Sequence, residues 1–104
     1  MVRIGLFCFA GMSTSVLVKK MTEYATEKHL DCIVDAYPQE QVAEKAKDLD
    51  VVLIGPQIKY YKKRIEAICK PLGAQVMVIS NVDFGRMDGK KVLTEAYALL
   101  GQTI

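Results

Sequence analysis

The sequence predicts a three-layer α/β/α domain around a four-stranded parallel sheet in the order 2-1-3-4. Three observations carry that prediction. Short apolar runs alternate four times with segments of helical period. The run Asp50 to Ile54 is near-continuous Val, Leu and Ile, as expected of a strand covered on both faces. The breakers Pro38 and Gly55-Pro56 fall between these segments rather than inside them.

Val2 to Cys8 reads as the first strand. Ser13 to Lys28 follows as a helix with Leu17, Met21, Tyr24 and Ala25 on one face. Cys32 to Tyr37 is the second strand, ended by Pro38. A short helix from Gln39 to Lys47 turns Val42, Ala43 and Ala46 to the core, and Asp50 to Ile54 is the third strand. A helix from Gln57 to Lys70 sets Ile58, Tyr61, Ile65, Ile68 and Leu72 at spacings of 3 and 4. Gln75 to Ile79 is the fourth strand, and Ser80 to Gly89 reads as a polar loop. The last helix, Lys90 to Leu100, buries Val92, Leu93, Ala96, Tyr97 and Leu100. Right-handed crossovers place helices on both faces of such a sheet. The end of the first strand, at Cys8, then falls at the topological switch point, where ligands bind in this architecture.

With 104 residues the chain suits one domain, residues 1–104, and shows no repeat, low-complexity stretch or linker. Its 51% hydrophobic and 25% charged residues are ordinary for a globular protein, and a net charge of +2 is too small to announce nucleic acid or a membrane. No stretch has the apolar length of a membrane span. The hydroxyl run at Ser13 to Ser15 interrupts any secretory h-region, and Phe7 is too bulky to precede a lipidated cysteine. The start therefore reads as mature protein. Three widely spaced cysteines and one histidine make neither a disulfide framework nor a zinc site, and free thiols fit a cytoplasmic setting.

The chemistry concentrates in residues 8 to 15, Cys-Phe-Ala-Gly-Met-Ser-Thr-Ser, which join the first strand to the first helix. Ala10 and Gly11 let the backbone turn with its amides inward. Ser13, Thr14 and Ser15 can cap the helix and hydrogen-bond an oxyanion. Inward amides and the helix dipole favour a sulfur anion at Cys8, which would be both nucleophile and leaving group. A lone cysteine closing a buried strand ordinarily reads as packing. Its place beside a glycine-bearing loop and a helix start points instead to anion chemistry.

The run "LFCFAGMSTSVLVKKM" resembles the phosphorylation site of the lactose/cellobiose (chitobiose) type enzyme IIB components of the bacterial phosphotransferase system. The likeness continues through "DVVLIGPQIKYYKK" and "VDFGRMDGKKVL". The resemblance implies a cytoplasmic phosphoryl carrier in sugar transport, without metal or organic cofactor. Cys8 would be its phosphocysteine, and Phe9, Ala10, Gly11, Met12, Ser13, Thr14 and Ser15 the loop around the phosphate. It implies a IIA partner that donates from phosphohistidine, and a membrane component IIC that holds the accepting sugar. Direct membrane insertion and nucleic acid are not expected.

Low-molecular-weight tyrosine phosphatases share a similar sheet and form phosphocysteine on a C-x5-R-[ST] loop. Here Thr14 stands at the arginine position, removing a bidentate clamp on the transferring group. Asp83 and Asp88 follow the fourth strand, but neither precedes the proline of the phosphatase acid motif. A phosphatase- or arsenate-reductase-like hydrolase and a non-catalytic anion-binding module remain the alternatives.

Gln57 follows the third strand, within reach of the phosphate loop or a partner's face. A solvated helix start is an equally open reading. The run Lys59 to Arg64 reads as a solvated face or a docking surface for an acidic or phosphorylated partner. Cys32 and Cys69 read as packing residues, and His29 and Arg86 as surface residues, with Arg86 a candidate anion contact.

Overall fold

The computed structural model describes residues 1–9 and 12–104, with the side chains of residues 12 and 13 outside that set. The first strand, β1 (Val2–Cys8), leads to helix α1 (Met12–Glu27), and β2 (Cys32–Pro38) follows. A short helix α2 (Val42–Lys45) precedes β3 (Val51–Ile54), and α3 (Lys62–Cys69) leads to β4 (Gln75–Val78). The chain closes with α4 (Asn81–Gly85) and α5 (Gly89–Leu99). All pairings are parallel, as the alternating pattern predicts, and the order is β2-β1-β3-β4, the one expected.

The two-residue period of the strands sorts the core into two layers. Ile4, Leu6 and Cys8 of β1 join Val51 and Leu53 in packing against Leu17 and Met21 of α1 and Val92, Leu93 and Ala96 of α5. Phe7, Val52 and Ile54 face the other way, toward Val42, Ala46, Ile58, Ile65 and Cys69. All four residues of β3 are buried, because its neighbours β1 and β4 close its edges and helices cover both faces.

Three predicted segments differ in detail. The helix expected over Gln39 to Lys47 is a succession of 3₁₀ turn, the four-residue α2 and a second 3₁₀ turn ending at Asp48. Val42 and Ala46 are buried there, but Ala43 is exposed, because the short irregular helix turns only a narrow stripe inward. The helix expected from Gln57 begins as a 3₁₀ segment, Pro56–Tyr61, with a kink at Ile58 (φ −120°, ψ 25°) before α3. It tightens again over Lys70–Leu72, where Pro71 supplies no N–H, and stops at Gly73 (φ 81°). Leu72 is consequently exposed rather than in the core.

The third difference is α4, which occupies part of the expected 80–89 loop. Ser80 caps it, its Oγ accepting from the Asp83 N–H at 3.1 Å. Met87, with φ 52°, turns the chain. Asp88 then caps α5, its Oδ1 accepting from the Lys91 N–H at 3.1 Å. The signal was present in the sequence as two capping residues, each ahead of a short helical run.

Gly89 marks where α5 crosses α1 at backbone distance. A Cβ there would lie 2.6 Å from Lys20 C and Met21 N. Gly89→Ala should therefore cost about 1–3 kcal/mol in urea unfolding despite alanine's better helix propensity, because backbone cannot yield as a side-chain tip can.

Tyr97 is 3% exposed, and burial, with a smaller contribution from the neighbouring Cys32 thiol, pushes its phenol up from 10.0 to about 12. The folded state thus holds a proton that the unfolded state releases first. Stability is fully present below pH 10.0 and declines toward about 12, by at most about 2–3 kcal/mol. Tyr97→Phe should flatten that part of the stability curve.

Candidate active site

The end of β1 and the turn after β3 meet at the carboxyl edge of the sheet. Cys8 ends β1 opposite Pro38 of β2, and the strand is interior, flanked by β2 and β3. On its other side Gly55 extends the β3 pairing by one bond, its N–H donating to the Phe7 carbonyl at 2.8 Å. Pro56 fixes the next φ, and the Ile58 N–H returns to the Gly55 carbonyl at 3.1 Å, closing a tight turn.

That turn aims Gln57 at Cys8. The thiol donates to Gln57 Oε1 at 3.2 Å, linking residues on different strand ends. Cys8 is only 4% exposed, whereas Gln57 itself is exposed. The sulfur is therefore covered in part by a side chain that solvent can reach and that can move.

Gly55 is the residue that sequence reasoning missed, taking it only as a chain breaker. A Cβ at this position would stand 2.8 Å from Cys8 Sγ, 2.9 Å from Gln57 Oε1 and 3.2 Å from Cys8 Cβ. Its backbone conformation is ordinary extended chain (φ −62°). The glycine is needed for space, not for an unusual φ. A glycine directly after a strand predicted to flank Cys8 was the available signal. Gly55→Ala should leave the fold intact but lower iodoacetamide labelling or phosphorylation of Cys8 severalfold, since the added methyl occupies the sulfur's clearance.

Of the predicted phosphate loop, Ala10 and Gly11 lie outside the described residues, as do the side chains of Met12 and Ser13. Phe9 is half exposed beside the sulfur's strand end. Thr14 is buried at 5% exposure, and Ser15 is exposed, both in the first turn of α1. That helix starts at Met12, so its positive end lies close beyond Cys8 in the chain.

The other candidates lie elsewhere. Arg86 is exposed and lines a groove with Lys20, Glu23, Tyr24 and Glu27 on the α1 side. Asp83 is buried, and Lys91 Nζ approaches its Oδ1 at 3.2 Å. Asp88 is occupied as the cap of α5. Cys69 is wholly buried and burial raises its thiol pKa, in keeping with packing; Cys32 is half-buried at the edge of the first core layer. Exposed His29 lies in the turn after α1 with φ 56°. Among the described residues no group of three or more His, Cys, Asp or Glu side chains could hold a metal ion, and no helix is long and apolar enough to cross a membrane.

A parallel sheet covered on both faces, presenting a cysteine at the end of an interior strand just ahead of a helix, defines a class of α/β proteins with a strand-end thiol. Comparison with known proteins narrows the class. The chain belongs to the family of the PTS system lactose/cellobiose specific IIB subunit, whose model matches residues 3–95. It is 38% identical over 100 residues to the PTS system oligo-beta-mannoside-specific EIIB component of Bacillus subtilis (strain 168), covering 96% of this chain and 97% of that protein. Identity to the PTS system cellobiose-specific EIIB component of Lactococcus lactis subsp. lactis (strain IL1403) is 34% over 102 residues, covering 93% and 94%.

Among solved structures, the cellobiose-specific phosphotransferase IIB component from Borrelia burgdorferi superposes with a TM-score of 0.80 at 37% identity, covering 99% of this chain and 96% of that one. The lactose-specific IIB component domain from Streptococcus pneumoniae gives 0.83 at 14% identity, covering 92% and 97%, a likeness of fold alone.

Proposed function

We propose that this IIB subunit is a cytoplasmic phosphoryl carrier whose covalent site is Cys8. The observation that carries the reading is the place of Cys8, at the carboxyl end of an interior strand and just ahead of α1, in a chain of this family. In the first step the Cys8 sulfur attacks the phosphorus of a phosphohistidine on a IIA partner. The P–N bond breaks, the P–S bond forms, and the proton lost from the thiol ends on the released imidazole nitrogen. In the second, a hydroxyl of a sugar held by the membrane component IIC attacks the same phosphorus. The P–S bond breaks and the hydroxyl proton restores the thiol. Neither step needs a metal or organic cofactor. Loop amides from Phe9 to Ser15 and the start of α1 supply the electrostatics, and the rest is positioning.

Four exposed apolar side chains in the segments that follow strands offer surface for docking to protein partners. Phe9 (50% exposed) follows β1, Val16 lies early in α1, Tyr60 follows β3, and Val82 follows β4. Apolar and aromatic surface of this kind is typical of the centre of a protein interface. The sugar belongs to the cellobiose, chitobiose or lactose class. Relatives named for oligo-beta-mannoside, galactose and cellobiose resemble this chain about equally, at 38%, 35% and 34% identity. Such even similarity across different sugars fits recognition by IIC rather than by this subunit.

Two residues disfavour hydrolysis. Thr14, buried in the first turn of α1, stands where a phosphatase places its arginine clamp. Asp83, the nearest equivalent of a phosphatase acid in the segment after β4, is paired with Lys91. Incubation with phosphoenolpyruvate, the general phosphotransferase proteins and a IIA component of this class should add one phosphoryl group, mapped to Cys8 by mass spectrometry. Turnover of an aryl phosphate without partners, and no adduct with them, would establish the hydrolase instead.

A further inference from the structure

We infer that Gln57 is a second residue of the transfer site, whose carboxamide turns its oxygen to the free thiol and its NH₂ to the phosphorylated sulfur. The inference rests on the carrier reading and goes beyond it by assigning a donor outside the phosphate loop. In the unloaded protein Oε1 lies 3.2 Å from Cys8 Sγ and accepts the thiol hydrogen. A phosphocysteine has no such hydrogen. Its sulfur and phosphoryl oxygens only accept, so a carbonyl facing them would be repulsive.

A carboxamide resolves that conflict without moving the backbone. One end accepts and the other donates, and a half-turn about its terminal bond exchanges them. The geometry around Gln57 favours this exchange. Its backbone is held by the Gly55–Ile58 turn at 3.1 Å and by Pro56, while the residue itself is exposed to solvent. Gly55 keeps the space between sulfur and carboxamide clear, since a Cβ there would lie within 2.9 Å of both. The same exposed residue lies against a sulfur whose residue is only 4% exposed. It must swing aside for an incoming phosphohistidine and can then close over the product.

The test compares wild type, Gln57→Glu and Gln57→Ala. Histidine-phosphorylated IIA component serves as donor, and iodoacetamide as a probe of the free thiol. Gln57→Glu keeps shape and acceptors but removes the donor and adds negative charge. It should slow phosphocysteine formation and shorten the adduct's lifetime after donor removal, each by about tenfold or more. Gln57→Ala should shorten the lifetime and also raise the alkylation rate of Cys8 by about five- to tenfold, because one hydrogen bond and its cover are gone. Wild-type loading and lifetime in Gln57→Glu would overturn the donor role while leaving the carrier function standing. Faster alkylation of Gln57→Ala with an unchanged adduct lifetime would reduce Gln57 to a cover and equally overturn it. Failure of wild-type Cys8 to accept any phosphoryl group would instead overturn the carrier function, and this role with it.

Discussion

Cys8→Ser is expected to lose phosphoryl acceptance by a factor of about 10⁴ or more, the scale on which removing a covalent nucleophile acts. A serine hydroxyl is almost never ionised near neutral pH, and among the described residues no histidine or carboxylate hydrogen-bonds to position 8. The one partner at hand, Gln57 Oε1, can accept a hydrogen bond but is no base. The replacement nearly preserves volume, and the same carboxamide can satisfy the new hydroxyl. Thermal unfolding should therefore move little while the labelled phosphoprotein disappears. Comparable labelling of Cys8→Ser would place the phosphoryl group on another residue.

Phe7→Ala should show the converse pattern, a large loss of stability with the chemistry intact at temperatures below melting. Phe7 is fully buried, stacks near Tyr37 at a centroid distance of 5.5 Å, and lies in the core layer beneath α2 and α3. Cys8, the next residue, points into the opposite layer with α1 and α5. Emptying a buried phenylalanine site costs about 3–5 kcal/mol, a large share of the roughly 5–15 kcal/mol that holds a domain together. The melting temperature should fall by about 15 °C or more in calorimetry. The folded remainder should still take up a phosphoryl group, since the Phe7 carbonyl that anchors Gly55 is backbone. Loss of acceptance in the folded variant would mean that the two core layers are coupled at the sheet's edge.

The contrast between Phe7 and Cys8 shows why the frame was so legible. Neighbouring residues of a strand must face opposite sides, so apolar identity with period two places each in its layer. The irregular connections were less so. The helical spacing of Ile58, Tyr61, Ile65 and Ile68 held on average, but Pro56 and Pro71 tighten both ends of that segment into 3₁₀ turns. Leu72 then falls outside the core. The stretch 80–89 looked like a loop because its composition is polar, yet the caps Ser80 and Asp88 order it into helix. Capping acts through single side-chain oxygens on backbone N–H groups, a signal that averages over composition dilute.

By itself the sequence determined the parallel sheet, the family motif, and Cys8 at the end of the first strand. Each depends on periodicity or on residues adjacent in the chain. Only the tertiary structure decided that Gln57 lies on Cys8 and that Gly55 leaves room for it. The two segments are 49 positions apart and meet because β1 and β3 are hydrogen-bonded neighbours. Which side chains share a strand-end site depends on sheet register, and register is set by the packing of the whole core rather than by local sequence.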